Sequence, residues 1–116
     1  MNLIKDYIAP QANAPVIVLF GGSPERMNEV VSMIRDNLKS VTAFGNFGEE
    51  EGLKKLNTLK KVDLVLIGGR YSEEQRTRIR NYLKVNFPGV PTTEPGYQYP
   101  YSNPDILMDI RRKIGN

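Results

Sequence analysis

Apolar runs of strand length alternate with amphipathic stretches of helical period along residues 16–116. The apolar runs predict strands over residues 16–20, 41–44 and 62–67, and a shorter strand over 90–93. The stretches between them carry apolar residues three or four positions apart, as in helices that pack one face on a sheet. Strands that alternate with helices favour a parallel sheet with right-handed crossovers and helices on both faces.

Helices are predicted over residues 24–39 and 49–60, between Ser72 and Pro88, and from Asn103 onward. Their starts carry capping residues. Residues 23–25 place a serine at the N-cap, a proline in the first turn and an acid near the positive end of the helix dipole. Ser72 and Gln75 have the spacing of a capping box. Asn103-Pro104-Asp105 repeats the first pattern, which predicts Asn103 as the last cap.

The predicted fold class is a three-layer, doubly wound α/β domain with a parallel sheet of four strands, or five if one more forms. The predicted strand order is 2-1-3-4, so the first and third strands are central. The loops that follow these two strands, 21–23 and 68–70, then meet at the topological switch point. Ligands of doubly wound folds bind at that point.

Residues 1–15 are predicted to form an arm outside the domain of residues 16–116. Leu3, Ile4, Tyr7 and Ile8 recur at helical spacing, which predicts a short apolar helical stripe before Pro10 ends it. The arm packs on its own domain, docks on a partner subunit, or frays. If it docks, Tyr7 and Ile8 are its candidate contact residues.

Composition narrows the available chemistry. The 116 residues include no Cys and no His, which removes thiolate chemistry, the commonest general base and the commonest metal ligand. A net charge of +3 is too small to indicate a nucleic-acid partner. The apolar runs are too short to span a membrane, and the N-terminus lacks a signal-peptide pattern. A cytoplasmic protein without metal or cofactor is therefore expected.

Three segments resemble the receiver domains of two-component response regulators, and the order and spacing of the predicted strands and helices match over residues 15–115. Residues 20–24 (Phe-Gly-Gly-Ser-Pro) occupy the place of the receivers' apolar residue, two acids, variable residue and proline. Residues 63–68 are similar to the strand that ends in the phosphoacceptor aspartate. Residues 99–107 resemble the Lys-Pro-Phe segment and the start of the last helix. Thr92 or Thr93 corresponds to the hydroxyl residue of the fourth strand.

The chain departs from receivers at the residues that carry their chemistry. Gly21 and Gly22 stand in place of the two metal-holding acids, Gly68 in place of the phosphoacceptor and Tyr99 in place of the lysine. Receiver phosphotransfer needs carboxylates for Mg²⁺ and for the phosphoryl group. The resemblance therefore implies a receiver-like or flavodoxin-like fold that is not phosphorylated. It favours a regulatory or protein-interaction module over an enzyme.

The switch-point loops support an alternative function, the binding of a phosphate, nucleotide or flavin. Glycines permit close backbone approach, a helix N-terminus supplies N–H donors, and the fork of Arg70 suits a phosphate or carboxylate. The competing interpretation is a capped turn beside a solvated arginine. The candidate ligand residues are Gly21, Gly22, Ser23, Gly68, Gly69, Arg70, Thr92 and Thr93.

Residues 94–102 form a loop rich in proline and tyrosine. Tyr97, Tyr99 and Tyr101 alternate, which predicts that they share one face of an extended segment. That face is either a partner surface or a cover for a sheet edge left bare by the absent receiver helix. We therefore expect a protein partner or self-association, for example as a homodimer, with a small anionic ligand as the alternative.

The third predicted helix has a basic side. It carries Arg76, Arg78, Arg80 and Lys84. Without aromatic residues between them, these charges are predicted to form a solvated helix face rather than a nucleic-acid site.

Overall fold

The computed structural model describes residues 3–116, which form a five-stranded sheet covered by four helices. The strands are β1 (Asp6–Tyr7), β2 (Val16–Phe20), β3 (Thr42–Asn46), β4 (Leu64–Ile67) and β5 (Thr92–Thr93). The helices are α1 (Pro24–Asn37), α2 (Glu49–Thr58), α3 (Glu73–Asn86) and α4 (Asn103–Ile114). The predicted α/β class is confirmed, and the predicted helices and strands are present with ends moved by one or two residues.

The sheet order is β1-β3-β2-β4-β5, with β2 to β5 parallel and β1 antiparallel to β3. This differs from the predicted order of 2-1-3-4 because the arm contributes a strand. Asp6 pairs with Phe44 and Tyr7 with Ala43 at the outer edge of β3. The parallel strands follow one another in space as β3-β2-β4-β5, which leaves β2 and β4 central.

The helical stripe predicted for the arm is wrong. A lone helix of so few residues is unstable in water, whereas the open edge of β3 offers backbone partners. The N–H of Gly45 donates to the Lys5 carbonyl at 2.7 Å. A Cβ atom at position 45 would lie 2.5 Å from that oxygen, so glycine permits the pairing. Tyr7 and Ile4 pack against the core, and the arm therefore packs on its own domain.

Two apolar cores lie on opposite faces of the sheet, since successive side chains of a strand point to opposite sides. From β2, Ile17 and Leu19 enter the core beneath α1 and α4, and Val18 and Phe20 enter the core beneath α2 and α3. All four are at most 1% exposed. Because β2 is apolar on both faces, helices cover the sheet on both sides, which gives the three layers of the predicted fold.

The N-caps of α1 and α3 are the predicted ones. The Ser23 hydroxyl accepts the N–H of Arg26 at 3.3 Å, and Ser72 and Gln75 exchange the two bonds of a capping box. The cap of α4 is Ser102 rather than Asn103. Its hydroxyl accepts the N–H of Asp105 at 3.3 Å, and Asn103 is the first helical residue.

We expect Ser102→Ala to lower the free energy of unfolding by about 1 kcal/mol, because α4 loses an acceptor for one of its first N–H groups. Asn103→Ala should cost less than about 0.5 kcal/mol. Its Nδ2 donates only to exposed Glu29, and its Oδ1 is buried without a partner. Urea unfolding followed by circular dichroism measures both values. Equal losses of unfolding free energy for the two variants would contradict the assignment of Ser102 as the cap.

Candidate functional site

A cleft of about 390 Å³ lies at the carboxyl ends of the two central strands. One side is the loop that follows β2, and the other is the loop that follows β4. The cleft is lined by all of the predicted ligand residues except two, namely Gly21, Gly22, Ser23, Gly68, Gly69 and Arg70. Thr92 and Thr93 do not line it.

The loops meet because β2 and β4 end at the same level, with Phe20 paired to Ile67. Beyond that pair, the N–H of Gly68 donates to the Phe20 carbonyl at 2.9 Å. On the other side of β2, the N–H of Gly21 donates to the Asn46 carbonyl at 2.9 Å. A Cβ atom at position 68 would lie 3.1 Å from the Phe20 oxygen, so glycine suits this close approach.

The floor of the cleft is apolar and one wall is aromatic. Its apolar lining comes from Leu19, Phe20, Met27, Val30 and Leu66. The Tyr71 ring meets the Phe20 ring edge to face, with centroids 6.1 Å apart, and its hydroxyl donates to the Gly21 carbonyl at 3.1 Å. Burial raises the pKa of Tyr71 to about 12, so this phenol is a neutral donor at physiological pH.

Arg26 and Arg70 supply the charge of the cleft, and no carboxylate is among the described residues that line it. The Arg26 guanidinium bonds Glu29 at 2.9 Å and lies 4.2 Å from the centroid of the Tyr101 ring. Arg70 is exposed and forms none of the ion pairs within residues 3–116. Glu29 balances part of the Arg26 charge, and the Ser23 hydroxyl donates to Glu25 at 3.1 Å. Arg70 is therefore the charge of the lining that best suits an anion.

Arg26 is a cleft residue that the sequence interpretation missed, and Tyr101, which was predicted as a contact residue for a partner, also lines the cleft. The helical pattern places Arg26 on the wet face of α1, which is correct, but that face borders the cleft. A usable signal was its position in the first turn, three residues after the Ser23 cap. No sequence signal places Tyr101 there, because its position depends on the fold of the loop that precedes α4.

Thr92 and Thr93 lie at the sheet edge, in contact with α4 and α3 rather than the cleft. The buried Thr93 hydroxyl donates to the Asp109 carboxylate and accepts from the Tyr99 hydroxyl at 2.7 Å. Although burial disfavours the charge of Asp109, its bonds with Thr93 and Lys113 hold the pKa of this carboxyl below its usual value. This cluster anchors α4 to β5.

The tyrosine loop is a turn rather than the predicted extended segment. The N–H of Tyr97 donates to the Glu94 carbonyl at 3.1 Å, which bends the chain. Tyr97 is half exposed and covers Arg76, Tyr99 packs against the core beneath α1 and α4, and Tyr101 lines the cleft. The predicted shared face of three tyrosines is therefore wrong.

The other predicted contact residues, Tyr7 and Ile8, lie at the far edge of the sheet. Tyr7 belongs to β1 and is partly buried, whereas Ile8 is 70% exposed. Since β1 and β5 are opposite edges, the arm and the tyrosine loop do not form one continuous surface.

Arg76 is fully buried, so the prediction of a solvated face is wrong at this position. One nitrogen of its guanidinium lies 2.6 Å from the Glu94 carboxylate, and another donates to the Gly68 carbonyl at 2.6 Å. A third donates to the Tyr71 carbonyl at 3.1 Å. Each nitrogen of the guanidinium thus has a partner, which is the condition for burying a charge.

Glu94 accepts from a second arginine of the same helix face. Arg80 donates to it at 2.7 and 3.1 Å, and the Tyr97 ring centroid lies 4.2 Å from the Arg76 guanidinium. Burial opposes the charge of Glu94, but the two guanidinium groups outweigh it and lower the pKa of this carboxyl. We call Arg76, Arg80, Glu94 and Tyr97 the arginine network. It fastens the loop before α4 to α3.

The remaining basic residues of α3 are exposed, as predicted. Arg78 pairs with Glu49 at the start of α2, at 2.7 Å, and Lys84 faces solvent. The hydrogen bond from Arg78 lowers the pKa of Glu49. These contacts join two neighbouring helices and leave no concentrated basic surface on α3.

No family model, curated protein or solved structure matches this chain. The resemblance to receivers therefore stays a prediction that rests on residues 20–24, 63–68 and 99–107. Within residues 3–116, no group of three or more acidic, histidine or cysteine side chains could hold a metal ion. None of the helices in this part of the chain is long and apolar enough to cross a bilayer.

Proposed function

We propose that this protein binds a small anionic ligand in the cleft between residues 21–23 and 68–70. The observation that carries the proposal is the joint presence of Arg26, Arg70 and a glycine-rich backbone around one cleft without a lining carboxylate. Arginine recognises carboxylates and phosphates with paired donors, and glycines let a ligand approach the backbone. The cleft volume of about 390 Å³ falls within the range of small-molecule sites.

We further propose that the fold is receiver-like and that ligand binding takes the place of phosphorylation. The parallel order β3-β2-β4-β5, with helices on both faces, supports this assignment. Gly21, Gly22 and Gly68 end the central strands where receivers hold their acids. A protein that changes its surface with ligand occupancy can then act on a protein partner or on a second copy of itself.

A thermal-shift screen with inorganic phosphate, nucleotides and flavin mononucleotide tests the binding proposal. We expect at least one anion to raise the melting temperature, because a ligand that binds only the folded state stabilises it. Arg70→Ser should weaken that anion's binding about tenfold, which corresponds to about 1.4 kcal/mol for a charge-assisted bond.

Lys60→Ser is the matched control, since it removes the same charge at an exposed position outside the cleft. Its affinity should equal that of the parent protein. If no anion shifts the melting temperature, or if both variants lose the same affinity, the cleft is not an anion site.

A further inference from the structure

At the ends of the two central strands, several backbone carbonyl groups have hydrogen-bond partners within the protein, whereas several backbone N–H groups do not. The carbonyl groups there are bonded within the protein: that of Phe20 by Gly68, that of Gly21 by Tyr71 and that of Gly68 by Arg76. Each of these oxygens thus already accepts at least one hydrogen bond from the protein, which reduces its capacity to accept from a ligand.

The donors just beyond the strand ends are free. The backbone N–H groups of Gly22, Ser23, Gly69 and Arg70 have no acceptor among residues 3–116. The Arg70 guanidinium also forms no ion pair with this part of the chain, as described above. The mouth of the cleft thus offers donors and positive charge, which match a group that carries several acceptor oxygens.

The lining of the cleft also has an apolar part. Met27, Val30 and Leu66 line it and are at most 4% exposed, together with Leu19. A polar group placed against such a surface loses its hydrogen bonds to water and gains none, which is unfavourable. An apolar group placed there gains from leaving water.

We infer that the ligand is an amphipathic anion, with a carboxylate or phosphate head at Arg70 and an aryl or alkyl body against Met27, Val30 and Leu66. Inorganic phosphate leaves the apolar lining unfilled, and a nucleobase places ring nitrogens and an amino group against it. This inference rests on the proposed function and narrows its ligand class. Such a head is acceptor-rich, and the body needs no hydrogen-bond partner.

Isothermal titration calorimetry with five probes tests the inference: naphthyl phosphate, naphthoate, inorganic phosphate, adenosine monophosphate and naphthylmethylammonium. We expect the two naphthyl anions to bind at least tenfold more tightly than inorganic phosphate or the nucleotide. The cation, which has the same apolar body, should not bind. Comparison of naphthyl phosphate with naphthoate distinguishes the two head groups.

Two variants locate the site. In Gly22→Leu, the added Cβ meets only Arg70 Cδ at 3.5 Å, so the side chain enters the mouth without backbone strain. We expect it to weaken naphthyl phosphate binding more than tenfold, and Arg70→Ser to weaken it about tenfold. Thr77→Leu is the control, because it adds leucine at an exposed position of α3 outside the cleft.

The outcomes separate the inference from the proposed function. If inorganic phosphate or the nucleotide binds as tightly as naphthyl phosphate, the amphipathic ligand class is wrong and the anion site stands. If no anion binds, both fail. If the cation binds as well as the anions, or if Gly22→Leu and Arg70→Ser leave binding unchanged, the naphthyl group is held elsewhere and the inference is overturned.

Discussion

Arg76→Leu is expected to lower the free energy of unfolding by about 3 kcal/mol, because it breaks a buried ion pair and leaves three buried acceptors with fewer donors. Glu94 is 1% exposed and would keep Arg80 and the Thr92 hydroxyl as its partners, with one guanidinium group instead of two. The Gly68 and Tyr71 carbonyls would each lose a donor as well. The loss is a large fraction of the stability of a typical domain of this size, about 5–15 kcal/mol.

Urea denaturation of Arg76→Leu and of Arg78→Leu measures this effect with a matched control. Arg78→Leu is the same substitution on the same helix, but the ion pair that it removes, between Arg78 and Glu49, lies at the surface. Its loss of stability should therefore be much smaller. Similar losses for both variants would contradict the assigned role of the buried arginine.

The double variant Arg76→Leu/Glu94→Leu tests whether the buried charge is the cause. Replacing a buried ion pair by apolar residues is often neutral or stabilising relative to breaking it. We expect the double variant to recover at least about 1 kcal/mol of the loss caused by Arg76→Leu. A double variant that is less stable than Arg76→Leu would show that the loss arises from packing instead.

Gly52→Ala is expected to destabilise the protein by about 2 kcal/mol, although the same change in an exposed helix stabilises by roughly 1 kcal/mol. A Cβ atom on Gly52 in α2 would lie 2.0 Å from the ring of Phe20. That ring is fully buried and meets Tyr71 edge to face. Overpacking therefore outweighs the gain in helix propensity.

A double-mutant cycle with Phe20→Leu measures the contact. Leucine lacks the ring atoms nearest to the added Cβ, so the combined variant should lose less stability than the sum of the two single variants. Chemical denaturation of the four proteins gives the coupling energy. If Gly52→Ala alone is stabilising, the ring moves aside at little cost and the contact does not require glycine.

The sequence predicted the parallel strands and the helices because their signals are local. Residues 16–20 are apolar at every position, which only a strand with helices on both faces needs. Ser23 and Ser72 mark helix starts by the hydrogen bond that each makes to its own first turn. The arm was mispredicted because residues 6–7 form a strand only when the edge of β3 is present beside them.

The site was predictable only as far as chain order determines it. Glycines after the two central strands marked the position of the cleft, but its walls come from tertiary contacts that spacing does not reveal. Arg76 shares the buried face of α3 with Ile79 and Leu83. Because arginine is charged, the sequence indicated an exposed side chain at this position. Its partner Glu94 follows β5 and lies beside Arg76 only in the folded chain.

Both edge strands of the sheet, β1 and β5, are two residues long. Long, flat edges present unpaired backbone that templates aggregation and amyloid growth. At one edge, Lys113 donates to the Thr92 carbonyl at 2.6 Å, and at the other Pro10 follows the strand closely. The short edge strands of residues 3–116 therefore offer little backbone to a second chain, which disfavours growth or dimerisation through a shared sheet.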